Sequence, residues 1–130
     1  MMICESVMSV RGIGGVFFKS EDPKKLQEWY VENLGLKPDE GGYIYFMWSD
    51  LKAPGYTLWA PFPADTKYFE PSTKHSMINF VVDKIEDFVV ELKNKGIDVV
   101  DKIEKTEQGK FTWLMDPEGN RIELWEPANK

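Results

Sequence analysis

Two stretches near the C-terminal ends of the chain's halves read nearly alike: Tyr56-Thr57-Leu58-Trp59-Ala60-Pro61 and Ile122-Glu123-Leu124-Trp125-Glu126-Pro127. Matching positions keep a constant spacing of 66 residues, so Trp59 answers to Trp125 and Pro61 to Pro127. The spacing holds upstream, where Asp50 answers to Asp116 and aromatic Tyr45 to aromatic Phe111. Repetition at this scale constrains the fold more than composition does. It describes one supersecondary unit used twice, with the cleft between the copies as the natural seat of a ligand.

Local patterning supports two similar units. In the first half, Ile13 to Lys19 is a short run rich in Val and Phe that predicts a strand. Asp22 and Pro23 then form a helix start, Leu26, Trp29, Tyr30 and Leu34 recur at helical spacing, and Gly35 ends the helix. Strands are expected near Leu36 to Pro38, at Tyr43 to Ser49 and at Tyr56 to Pro61. Phe62 to Lys74 contains Pro63 and Pro71 and keeps no period, which marks it as a connector.

The second half repeats the plan. His75 to Val82 predicts a strand, and Asp83 with Glu86 makes a capping-box-like start for a helix carrying Ile85, Phe88, Val89 and Leu92, which ends at Gly96. Ile97 to Ile103, Lys110 to Met115 and Arg121 to Glu126 predict three further strands, the last two joined by a tight turn over Asp116-Pro117-Glu118-Gly119-Asn120. The expected class is α+β, a single domain of two β-α-β-β-β units.

The net charge of −6 argues against nucleic acid, whose binding needs a basic footprint. A lone cysteine, Cys4, excludes an internal disulfide and suits a reducing cytoplasm. Neither a signal peptide nor an apolar stretch near the ~20 residues of a membrane span is evident. The expectation is a cytoplasmic protein with no membrane partner.

Three segments, Gly14 to Leu36, Ile78 to Ile97 and above all Asp116 to Pro127 (DPEGNRIELWEP), resemble the glyoxalase/bleomycin-resistance/dioxygenase superfamily, also called vicinal oxygen chelate proteins. The resemblance runs from about Ile13 to Pro127. It implies paired βαβββ modules, about 11–61 and 75–127 with a connector at 62–74, whose sheets form an open curved barrel with the helices outside. It also implies a homodimer.

Metalloenzymes of that superfamily place divalent-metal ligands on the first and last strand of each module. Carried over one position at a time, the resemblance puts Gly15, Thr57, Met77 and Glu123 at those places. Only Glu123 can ligate there, and one carboxylate does not hold a catalytic divalent ion, which usually takes about three protein ligands. The expectation is therefore no metal cofactor, with a displaced divalent-metal site of His75 and Glu123 as the alternative.

Strand pleating bears on the same residues, because side chains two apart share a face. Apolar Ile122 and Leu124 suit a helix-covered side, so Arg121, Glu123 and Trp125 face the cavity. The same parity sends Gly55, Thr57 and Trp59, then Gly15, Phe17 and Lys19, then His75, Met77 and Asn79, inward from their strands.

Glu123 is the candidate catalytic residue, as a general base, or else a hydrogen-bond acceptor for ligand. Its plain alternative is a wall carboxylate paired with Arg121 or Lys19. Trp59 and Trp125 are candidates to stack on a flat or cationic ligand, or to fill the barrel as core. Asn79, Thr57, Phe17, Met77 and Arg121 complete the expected ligand-binding set. The expected function is binding of a small molecule in an aromatic cavity near Glu123, by a protein without the usual metal. The alternative is a lyase, isomerase or dioxygenase that uses Glu123 as base or the displaced metal.

Overall fold

The computed structural model describes residues 13–51 and 55–128. Helix α1 (Pro23–Leu34) begins as its sequence dictates. The Asp22 carboxylate accepts the Lys25 backbone N–H at 3.1 Å, and Pro23 occupies the first turn, where its missing N–H costs nothing. The helix stops at Gly35, whose φ of 77° is a left-handed conformation that a side chain would resist. Leu26, Tyr30 and Asn33 form its buried stripe.

Helix α2 (Ile85–Asn94) buries Ile85, Val89 and Leu92, again one face at helical spacing. Its start corrects the sequence reading. The capping residue is Lys84 rather than Asp83, and the Ile85 N–H donates to the Glu126 carboxylate at 2.9 Å. A carboxylate from a neighbouring strand thus satisfies the first N–H of the helix, which has no partner within it.

Strands β1 (Ile78–Val81), β2 (Glu104–Thr106), β3 (Gly109–Met115) and β4 (Arg121–Pro127) form one sheet in the order β1-β4-β3-β2. The β1–β4 pair is parallel and the others antiparallel, with β1 and β2 as open edges. The fold is thus α+β with an unclosed four-stranded sheet. The hairpin between β3 and β4 is held by Asp116, whose Oδ1 accepts the N–H groups of Glu118 and Asn120. Gly109 at the start of β3 has no alternative, since a Cβ there would lie 2.1 Å from the Glu126 carbonyl oxygen.

Ile122, Leu124 and Leu114 on one sheet face pack with Ile85, Val89 and Leu92 of α2, and α1 adds Leu26 and Tyr30 to the same cluster. Removing such surface from water is the main source of stability here. Thr112 is fully buried, and its hydroxyl has no hydrogen-bond partner among the described residues.

The first half departs from expectation. Strands predicted at Ile13 to Lys19, Tyr43 to Ser49 and Tyr56 to Pro61 are not formed. Among the described residues of that half, the strand-type pairing is an isolated bridge between Pro38 and Ile44. In the second half, the strand expected over Ile97 to Ile103 is reduced to a bridge between Val99 and Leu114, and the strand expected from His75 starts only at Ile78. Aromatic and β-branched content makes a segment suited to a sheet, but ladder partners make it a strand, and among the described residues the segments that failed to form have at most an isolated bridge. No helix among the described residues is long and apolar enough to cross a membrane.

Candidate functional site

The sheet face opposite α2 carries the chemistry. Register sets Trp113 directly across from Glu123, Phe111 across from Trp125 and Met115 across from Arg121. On the other side of β4, Asn79 of β1 is level with Glu123. Alternation along β4 explains the division: Ile122 and Leu124 go to the helix side, and Arg121, Glu123 and Trp125 to this one.

Glu123 is buried, with 8% of its surface exposed. Oε2 accepts the Tyr68 hydroxyl at 2.5 Å and the Trp113 indole N–H at 2.9 Å, and Oε1 accepts the Asn79 amide at 2.7 Å. Among the described residues Oε2 accepts two hydrogen bonds and Oε1 accepts one. All three donors are neutral, and no ion pair among the described residues reaches this carboxylate. The expected alternative of pairing with Arg121 or Lys19 is not what holds it.

Arg121 lies instead over the rings that serve Glu123, its guanidinium carbon 5.0 Å from the Trp113 ring centroid and 5.7 Å from that of Tyr68. It also donates to the Tyr68 backbone carbonyl. Burial, then the hydrogen bond and charge of Glu123, push the Tyr68 hydroxyl pKa above its ordinary value, so it stays a proton donor.

Trp125 stacks on Phe111, with centroids 6.0 Å apart and planes 7° apart, and its indole N–H donates to the Gln108 carbonyl. Tyr56 approaches its ring at 5.5 Å. A hollow of about 310 Å³ lined by Trp113, Arg121, Met115, Pro71 and Val100 lies beside the cluster, without Glu123, Tyr68 or Asn79 in its lining. A larger cleft of about 890 Å³ lies elsewhere, between α2 and residues such as Leu36 and Phe46, and contains no residue of the Glu123 cluster.

Of the residues singled out from sequence, the structure brings together Glu123, Asn79, Arg121 and, one step along the strand, Trp125. Met77 is half-buried just before β1. Phe17 is 96% exposed and Trp59 76% exposed, Thr57 is exposed, and none of them is among the hydrogen-bond partners of Glu123. Without strand pairing, the pleat that would aim them inward has no sheet to act on. His75 is exposed and is not among the hydrogen-bond partners of Glu123.

Tyr68 and Trp113 were missed. Trp113 had a signal: in a hairpin closed by Asp116 and Asn120, it falls opposite Glu123. Tyr68, inside an aperiodic connector, had none.

A divalent ion does not fit this donor set. The indole and amide turn hydrogens rather than lone pairs toward Glu123. Among the described residues no three His, Cys, Asp or Glu side chains converge.

Comparison with known proteins adds a family and a fold. The model of the Glyoxalase/Bleomycin resistance protein/Dioxygenase superfamily matches residues 12–124. No curated protein matches. A solved structure from the mobile metagenome of V. Pseudocholerae aligns over 95% of this chain and 100% of its own, with 18% identity and a TM-score of 0.59. TnmS3, an antibiotic binding protein from Streptomyces sp. CB03234, aligns over 93% of this chain and 99% of its own, with 21% identity and a TM-score of 0.56. A protein from Bacillus anthracis is 31% identical, but over only 48% of this chain and 50% of its own, with a TM-score of 0.38.

Proposed function

The chain belongs to the glyoxalase/bleomycin resistance protein/dioxygenase superfamily, and from that premise we propose that it binds a small molecule on the Glu123 face of its sheet. The observation that carries this reading is the Glu123 carboxylate. It is buried, held by three neutral donors, and unpaired with any cation among the described residues. Burying a charge is costly, and a carboxylate kept in that state is suited to receiving a donor from outside. The Trp113 ring, with Arg121 over it, supplies the apolar contact of a binding pocket. TnmS3, an antibiotic binding protein with a similar fold, is consistent with this use of the architecture.

In this reading residues 11–61 and 75–127 are paired modules, the connector spans 62–74, and the halves complete an open barrel around the ligand. The protein works as a homodimer without a divalent metal. A buried carboxylate can also accept a proton, so a metal-free lyase or isomerase with Glu123 as base is the second reading.

A small-molecule library screened by thermal shift on wild type and Glu123→Gln tests both. Binding lost with the carboxylate supports the ligand seat. Binding kept while turnover of the bound compound is lost selects the enzyme. Hits indifferent to the substitution refute both, and a stoichiometric metal found by elemental analysis, lost on Glu123→Gln or His75→Ala, would refute the metal-free account.

A further inference from the structure

The connector places a phenol in the site. The Tyr68 ring is stacked on Phe62, with centroids 5.5 Å apart and planes 20° apart, and meets Trp113 edge-on at 6.2 Å. Arg121 lies over its face, and its hydroxyl donates to Glu123 Oε2 at 2.5 Å. Downstream, Ser72 is buried and its hydroxyl donates to the Gly119 carbonyl at 2.6 Å, which fastens the segment to the β3–β4 turn. Residues 66–71 make no ladder pairing, and Tyr68 keeps 39% of its surface exposed. The contacts of its side chain are contacts that a free phenol would also make.

We propose that Tyr68 is a built-in occupant of the Glu123 site. The connector closes the site with its own phenol, and the ligand that opens it is a flat ring bearing a hydrogen-bond donor, which takes the place of Tyr68 at Oε2. This rests on the reading of the Glu123 face as the ligand seat and adds how that seat is guarded. Exchange of one phenolic donor for another leaves Glu123 satisfied at both ends of the step, so the carboxylate is never stranded. An occupant tethered on the same chain competes at an effective concentration of order millimolar, which weakens any external ligand until the tether lets go.

The test uses 4-methylphenol, the tyrosine side chain itself, and toluene, which has the ring without the donor. Both are titrated by tryptophan fluorescence and calorimetry into wild type, Tyr68→Phe and Tyr68→Ala. Tyr68→Ala should bind 4-methylphenol about ten-fold tighter than wild type does, and about ten-fold tighter than it binds toluene. Tyr68→Phe, which keeps the packing and loses only the donor, should fall between the two proteins. In wild type, saturating 4-methylphenol should speed tryptic cleavage after Lys67 as the connector is released.

Equal affinity of 4-methylphenol for wild type and Tyr68→Phe overturns the proposal, and does so even where Tyr68→Ala fails to fold. Equal affinity of Tyr68→Ala for 4-methylphenol and toluene also overturns it, as does unchanged cleavage at Lys67. Library hits that require Glu123 but bind wild type and Tyr68→Phe alike would remove the guard and leave the ligand seat standing.

Discussion

Tyr30 and Asp116, 86 positions apart in sequence, are joined by a 2.8 Å hydrogen bond that ties the helix of the first half to the β3–β4 turn of the second. The hydroxyl donates to Oδ2, which also accepts the Asn120 amide, while Oδ1 accepts two backbone N–H groups. A single carboxylate therefore shapes the turn and docks α1 on it. The Glu118 carboxylate of the same turn accepts Ser20 Oγ and the backbone N–H groups of Glu21 and Asp22, just before α1.

Tyr30→Phe keeps the ring in the core and removes only the donor. The turn retains its own bonds to Asp116, so the expected loss is that of one hydrogen bond to a charged group, about 2 kcal/mol. Urea denaturation measures it. A cost under about 0.5 kcal/mol would show that α1 is held by packing alone.

Substitutions at Glu123 should divide sharply. In Glu123→Gln the new oxygen can still accept from Tyr68 and Trp113, and the new amide can donate to Asn79 once that side chain flips, so the fold persists at a cost of about 1 kcal/mol. Glu123→Ala leaves the buried Trp113 indole N–H without its acceptor and removes the bonds of Tyr68 and Asn79, and should cost about 3 kcal/mol. Equal costs in urea would contradict this hydrogen-bond geometry.

Thr112→Val replaces a buried, partnerless hydroxyl with a methyl of similar shape. The expected outcome is a gain of up to about 1 kcal/mol, because the folded chain no longer strands a polar group. Thermal and urea unfolding both report it, and a clear loss would mean that the hydroxyl has a partner.

Alkaline pH should weaken the fold through two phenols. Burial and neighbouring carboxylates raise the pKa of Tyr30 and of Tyr68 above the ordinary 10.0, so the folded chain holds protons that the unfolded chain releases. Their contribution is complete below that value and is lost as the pH climbs through the raised folded values. Unfolding midpoints followed upward from pH 10.0 should fall more steeply for wild type than for Tyr30→Phe/Tyr68→Phe. Parallel curves would contradict the assignment.

The sequence was most legible where structure is local. Asp22, Pro23 and Gly35 bound α1 as read, Gly96 follows α2 with a φ of 80°, and the turn at Asp116 to Asn120 sets the register of the longest strand pair. Period-two alternation was enough to put Glu123 on the face opposite the helix. What depended on distant partners was not legible. Glu126 reaches back to start α2, the first-half runs lack ladder neighbours, and Tyr68 arrives from a segment with no pattern at all. Glu123 could thus be picked from its strand, but the donors that complete its surroundings come from residues as far as 55 positions away.

The most direct measurement is an NMR titration of the indole N–H signals with the strongest library hit. The chain has five tryptophans, and Trp113→Phe and Trp125→Phe assign the two that bear on the site. The Trp113 signal, whose hydrogen points at Glu123, should move most as ligand is added, and should stay in place in Glu123→Gln. A Trp113 signal unmoved by ligands that demonstrably bind would contradict a ligand seat at Glu123.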